Sequence, residues 1–370
     1  MIYFDNAATS FPKPANVIRE VNNCIKHYCG NPGRSSHFLA IKSSEKIYEA
    51  RENIAELFNF SSPEHIVFVH NATHGLNLAI KSVVNRRMSV IISDLEHNSV
   101  IRPLYKAISS NNGCIDVYNS DTELEKAIIP LIKEDTGAII STLSSNVTGK
   151  VIDPYKLSQI AIKYKMPLIL DASQYAGHLP IDLSRIQFDA LIAPGHKALF
   201  GLPGSGILIL GSNKTFNTMI EGGNGYDTIN MSMPIVLPER FEAGTPAVPS
   251  IIGLSCGVKY ILDTGQINIK SKLDKLTCRA YDILANHKNI RIYGAENGIV
   301  SFVIDKIQSS RVSMLLEEQG IASRSGLHCA PLIHRKLGTV DTGLVRLSFS
   351  CLNSEKELDK LYKALNHILK

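Results

Sequence analysis

Apolar positions along this chain fall into two alternating kinds of segment. Short runs with little polar interruption occupy residues 65–69, 89–92, 138–142, 168–171, 190–193 and 206–210, each with the length and branched-residue content of a buried strand. Between most of them apolar residues return every third or fourth position, as over 75–85, 122–129 and 154–164, which predicts amphipathic helices. Strands that are apolar on both faces and joined by helices make a mainly parallel sheet covered on each side. In such a sheet ligands bind past the carboxyl ends of the strands, so the loops that follow the runs are where chemistry belongs.

From about Pro249 the rhythm changes to two long helical stretches, strand-like runs at 299–304 and 344–350, and a closing helix over 354–369. This is the pattern of a smaller α+β lobe. The expected division is a large lobe over 15–248 and a small one made of 1–14 with 249–370, and 370 residues suffice for both. Pro12-Lys13-Pro14 punctuates the N-terminus, and no repeat or low-complexity tract interrupts the chain.

Charge adds little. The 39 basic and 34 acidic residues form no long single-sign run, which argues against a nucleic-acid or membrane partner and for a small-molecule substrate. No stretch approaches the roughly 18 apolar residues of a membrane helix, and the first residues lack the features of a secretion signal, so a cytoplasmic location is expected. Seven cysteines, at 24, 29, 114, 256, 278, 329 and 351, contain no CxxC pair, which predicts reduced thiols and no metal site.

Chemistry concentrates at the strand ends. Lys197 stands in Ala193-Pro194-Gly195-His196-Lys197, just past the run at 190–193 and before the glycine-rich Gly201-Leu202-Pro203-Gly204-Ser205-Gly206. A lone lysine is usually a solvated surface residue, but a strand end followed by glycines is where an amine nucleophile is presented. The run at 168–171 ends on Asp171, with Gln174 close behind it. A lysine that can hold a carbonyl cofactor as a Schiff base, near a carboxylate that can keep a pyridine nitrogen protonated, suits pyridoxal 5'-phosphate.

Other loops add to this pair. His70-Asn71-Ala72-Thr73-His74-Gly75 opens a helix, and its backbone N–H groups and the Thr73 hydroxyl either cap that helix or hold a phosphate. His97, in Glu96-His97-Asn98, is either a hydrogen-bonded structural residue or a ring that stacks on a flat cofactor. Asn146 is a turn residue or a donor to a cofactor's phenolic oxygen. In the second lobe, Ser323-Arg324-Ser325-Gly326-Leu327-His328-Cys329-Ala330-Pro331 puts a thiol on a turn beside two basic residues, a setting that favours thiolate character over the usual buried filler role. Arg346, within a strand-like run, is a structural ion-pair partner or a bidentate clamp for a substrate carboxylate.

Taken in order, Tyr3-Phe4-Asp5-Asn6-Ala7-Ala8-Thr9, Asp171-Ala172-Ser173-Gln174, Gly195-His196-Lys197, Glu242-Ala243-Gly244-Thr245-Pro246 and Arg324-Ser325-Gly326-Leu327-His328-Cys329-Ala330 resemble the motifs of class V aminotransferase-fold enzymes. Within that fold the chain is similar to cysteine desulfurases of the Suf-type and selenocysteine lyase-like group. The resemblance runs nearly end to end. It implies an α/β architecture of the pyridoxal-phosphate-dependent transferase fold type I, with a mainly parallel seven-stranded sheet and a smaller α+β C-terminal domain. It further implies that Lys197 carries the cofactor, Asp171 faces the pyridine nitrogen and His97 stacks on the ring, with Gln174 and Asn146 near the phenolic oxygen or the substrate. Thr73, the backbone at His74 and His196 would hold the phosphate, joined by Thr245 from the second subunit of a homodimer. Arg346 would bind the substrate carboxylate, Cys329 would accept sulfur, and His37 and Arg324 match positions near the substrate.

The implied reaction turns L-cysteine into L-alanine and leaves the sulfur on Cys329 as a persulfide, to be taken by an acceptor protein or a reductant. Two departures stand out: Pro194 replaces a phosphate-binding serine common before Gly-His-Lys, and His74 replaces a frequent glutamate. One rival is a selenocysteine lyase acting on L-selenocysteine, in which Cys329 is dispensable. Another is a thiol or metal module built on His328, Cys329 and His334, which leaves Lys197 and Asp171 unexplained. An aminotransferase proper would leave Cys329 without a role.

Overall fold

The computed structural model describes residues 1–33, 35–84, 88–109, 113–211 and 216–369. The chain opens with β1 (Ile2–Tyr3), α1 (Ala15–His27) and α2 (Phe38–Leu57). It continues through β2 (Ile66–Val69), α3 (Ala72–Val83), β3 (Ser89–Ser93), α4 (Asn98–Ser109), β4 (Cys114–Tyr118) and α5 (Leu124–Ile128). Next come β5 (Thr136–Thr142), α6 (Pro154–Lys163), β6 (Leu168–Asp171), β7 (Ala190–Pro194) and β8 (Gly206–Leu210). The remainder is α7 (Val248–Thr264), α8 (Gln266–Ala285), β9 (Ile290–Glu296), β10 (Ile299–Ile304), α9 (Ser309–Glu318), β11 (Ile321–Ala322), β12 (Arg324–Gly326), α10 (Pro331–Leu337), β13 (Leu344–Ser348) and α11 (Glu355–Ile368).

Seven strands form the central sheet in the order β2-β8-β7-β6-β5-β3-β4. Only β8 opposes its neighbours; the pairs β3 with β4 and β5, β5 with β6, and β6 with β7 are parallel. The apolar runs are continuous because alternate residues feed different cores. Ile91, Ile139, Leu170 and Leu191 join one apolar cluster, while Val90, Ile92, Ile140 and Ile192 join the other with side chains of α3 and α4.

Some boundaries differ from the expectation for identifiable reasons. Strand β2 starts at Ile66 because Pro63–His65 forms a 3-10 turn. The helix expected over 75–85 begins earlier, where Asn71 accepts from the N–H of His74 at 3.0 Å, and Asn85 lies outside the described residues. The helix expected over 122–129 shrinks to α5 and passes into a 3-10 turn, Ile129–Leu131, at Pro130. Strand β4 has no apolar run: it is the sheet's edge, and of its side chains only Tyr118 is buried.

A second sheet, antiparallel in the order β12-β13-β10-β9, lies in the C-terminal part. The N-terminal segment belongs to its surroundings. β1 pairs in parallel with β11, and the N–H of Ser348 donates to Phe4 at 2.7 Å. From there residues 5–13 cross to the end of β7, so one strap touches both sheets.

Candidate active site

The carboxyl ends of β5, β6 and β7, the first turns of α3 and α4, the N-terminal strap and the loop between β12 and α10 enclose a cleft of about 240 Å³. Of the residues to which the resemblance gives a role, all but three line it. His37 is exposed and caps α2, accepting from the N–H of Ala40 at 3.3 Å. His74 and Thr245 line a separate cavity of about 480 Å³, beside the Arg51–Glu242 ion pair.

Lys197 follows β7 on a turn held by the N–H of Gly201 donating to Gly195 at 2.8 Å. Burial pushes its amine down to about 8; Asp171 opposes that shift, and Arg346 and Arg324 add to it. The peptide before it is anchored as well: the carbonyl of His196 accepts from Lys13 Nζ at 2.8 Å, Thr9 Oγ1 at 3.1 Å and the N–H of Ser10 at 3.1 Å. Asp171, buried at the end of β6, accepts from the N–H of Ser173 at 2.9 Å. Gln174 Nε2 donates to the carbonyl of Ala7 at 2.9 Å, which fixes its amide between strap and cleft.

His97 is partly buried, and burial together with Lys197 pushes its ring down to about 4, so it is neutral at physiological pH. Its Nδ1 accepts from the N–H of Ser99 at 3.0 Å, which leaves the ring proton on Nε2. The Ser99 hydroxyl lies 2.9 Å from that Nδ1 and 2.8 Å from Thr73 Oγ1. His196 is also neutral, pushed down to about 4 by burial and by Lys197.

Arg346 is almost wholly buried and already engaged. Its Nη2 pairs with Asp5 at 2.7 Å, its Nη1 donates to the carbonyl of Asn146 at 2.9 Å, and Nε is buried without a partner. An incoming carboxylate would therefore compete with Asp5. Asn146 Nδ2 in turn donates to the carbonyl of His328 at 2.7 Å, and the N–H of Asn98 donates to the carbonyl of Cys329 at 2.7 Å.

These bonds pin a loop whose backbone is unusual. His328 and Cys329 both have positive φ, 50° and 58°, which side chains with a Cβ rarely adopt. The thiol is exposed on the cleft wall. Helix α10, which follows, is fastened to the loops after β3 and β4 by Lys336, with Asp94 and Asp121 each at 2.6 Å. One expectation needs correcting: His328 is no cation. Its ring is buried, stacks on His334 at 5.9 Å, and is pushed down to about 2 by burial and Arg346, so of the two basic neighbours only Arg324 carries charge.

Sequence reasoning gave no role to Ser99, Lys13, Asp5 or Glu96. Each matters through a contact far away in the chain, and no local pattern marks such a contact. Among the described residues no group of three or more His, Cys, Asp or Glu is placed to hold a metal. No described helix is long and apolar enough to cross a membrane.

The aminotransferase class-V model matches residues 2–361. The chain belongs to the aminotransferase class-V family. A probable cysteine desulfurase of Borreliella burgdorferi is 31% identical, covering 100% of this chain and 92% of that one. One of Pyrococcus abyssi is 30% identical over 100% and 94%. Among solved structures, the apo cysteine desulfurase of Thermococcus onnurineus superposes with a TM-score of 0.90 at 27% identity, covering 99% of this chain and 94% of that chain. In this class-V chain the β7-to-Lys197 turn and the Cys329 loop thus face each other across one cleft.

Proposed function

We propose that the protein is a cysteine desulfurase that uses pyridoxal 5'-phosphate to convert L-cysteine to L-alanine, passing the sulfur to Cys329. The observation that carries this is the cleft itself, which joins a lysine amine lowered by burial to an exposed thiol. Relatives described as cysteine desulfurases cover the whole chain and favour the sulfur reaction over a selenocysteine lyase.

The residues fit the cofactor. Lys197 would hold it, Asp171 would face the pyridine nitrogen, and neutral His97 would lie against the ring. Thr73, the first turn of α3 and His196 would take the phosphate, with Gln174 and Asn146 toward the phenolic oxygen. When bound, the cofactor supplies an electron sink that acidifies the substrate Cα–H.

The chain's own groups do the rest. Arg346 exchanges Asp5 for the substrate carboxylate and orients the molecule. The Lys197 amine, free once the substrate amine has taken its place and lowered to about 8, takes the Cα proton and later returns one to carbon. Cys329 Sγ attacks the substrate sulfur: an S–S bond forms, the Cβ–S bond breaks, and its electron pair goes to the carbon fragment that becomes alanine. The pinned loop limits travel of the thiol, so an acceptor protein or a small reductant must come to the cleft. Thr245 lies outside the cleft, and the segment before it exposes Ile229, Met231 and Ile235, which supports a homodimer in which Thr245 serves the partner's site. Pairing of β1 with β11 supports a small domain of 1–14 with 249–370 beside a large one of 15–248.

Mass spectrometry of the protein after treatment with L-cysteine tests the reading. One added sulfur is expected on the Cys329 peptide, and Cys329→Ser should lower alanine release by about two orders of magnitude, because a hydroxyl is a poor nucleophile toward sulfur. Sulfur on a different cysteine, or a Ser variant as fast as wild type, overturns the assignment.

A further inference from the structure

At the expected phosphate end of the cleft, one lining residue has nothing to donate. Pro194 closes β7 and lines the cleft, yet proline offers neither a backbone N–H nor a side-chain donor. His196 has a neutral ring, which can offer a single N–H. The several acceptor positions of a dianionic phosphate leave room for a further donor beside Thr73, the first turn of α3 and His196.

Ser99 is placed to be one. It lies in the first turn of α4 and lines the same cleft, with its hydroxyl 2.8 Å from Thr73 Oγ1. Two hydroxyls at this separation, carried on the first turns of α3 and α4, can donate to a single anion, and both helix starts favour negative charge there. The other neighbour of Ser99 does not require its hydroxyl hydrogen. Nδ1 of His97 already receives the Ser99 backbone N–H at 3.0 Å, which keeps the ring in the same tautomer when the hydroxyl turns away.

We propose that Ser99 is a second hydroxyl ligand of the cofactor phosphate, forming a clamp with Thr73 in place of the donor that Pro194 cannot supply. This rests on the pyridoxal-phosphate reading above and adds a residue to it.

The test compares two ligands that differ only in the phosphate. Protein freed of cofactor is titrated with pyridoxal 5'-phosphate and with pyridoxal, for wild type, Ser99→Ala and Ser99→Thr. A hydrogen bond to a charged group is worth roughly a 10- to 100-fold change in affinity. Ser99→Ala is expected to weaken pyridoxal 5'-phosphate by about that factor and to leave pyridoxal nearly unchanged, and Ser99→Thr to restore wild-type binding. Equal losses for both ligands would mean that Ser99 acts only through His97 or the fold, and no loss would mean that it does not touch the phosphate; either overturns the proposal. Failure of wild type to attach either compound at Lys197 overturns the functional reading itself, a distinct result.

Discussion

Among single residues, the cleft separates proton carriers by environment. His97 and His196 are pushed down to about 4 and stay neutral, while Lys197 at about 8 is the amine poised to exchange a proton near physiological pH. Asp171 acts differently, because its carboxylate is expected to stabilise positive charge on the pyridine nitrogen, an interaction that counts most in the transition state. Asp171→Asn should therefore lower kcat by about two orders of magnitude or more while the unfolding midpoint moves by no more than a few degrees. Steady-state kinetics and a thermal melt on cofactor-loaded protein decide it; near-normal turnover removes Asp171 from the mechanism. The places of Lys197, Asp171 and Cys329 around one cleft were legible because each punctuates a strand or turn. Asp5 as partner of Arg346 was not, since the two are far apart in sequence and meet through the bridge of Asp5 to Ser348 at the end of β13.

Among the secondary-structure elements, the ends of β3 and β5 are tied together by Glu96. It has no exposure; its Oε1 accepts from the N–H of Thr142 at 2.7 Å and from the Ser93 hydroxyl, while Oε2 has no partner. Thr142 is in register with Asp171, so this carboxyl braces the neighbour of the residue proposed to face the pyridine nitrogen. Burial pushes Glu96 up from 4.5 to about 8, and it is protonated at neutral pH. The native chain keeps that proton up to about pH 8, whereas the unfolded chain releases it near 4.5, so this group makes stability fall as pH rises across that window. Glu96→Gln keeps the shape and an acceptor for Thr142 but has no proton to release. Denaturant unfolding at several pH values between 5 and 9 should show a flatter pH dependence for Glu96→Gln than for wild type; identical slopes would show that Glu96 does not titrate here.

The molecule as a whole raises the question of where Thr245 acts. It is exposed and outside the cleft, on a segment whose Ile229 and Met231 are almost fully exposed in the single chain. If a second copy covers this surface, Lys197→Ala and Thr245→Ala impair different halves of a shared site. Mixing the two inactive variants under conditions that exchange subunits should then restore activity to about a quarter of wild type, because half of the dimers carry one intact site. Sedimentation should report a dimer throughout. No recovery in mixtures shown to contain the heterodimer would place Thr245 in its own subunit's chemistry or in none.

The layered α/β architecture, the position of the cleft, the strand-end lysine and the loop cysteine were all readable from residue order. Those follow from backbone periodicity and from the rule that parallel strands open their carboxyl ends to ligands, and both are local properties of the chain. Strand β4 was not readable, because it is an edge half open to solvent and the burial that writes an apolar run is missing there. Which groups share a proton or a hydrogen bond was settled by the folded arrangement alone. Ser99 meets Thr73 through the meeting of two helix starts, Lys13 reaches the His196 carbonyl along the strap, and His328 loses its charge to burial. Such pairings depend on desolvation and on contacts between distant segments, and neither is written in the order of neighbouring residues.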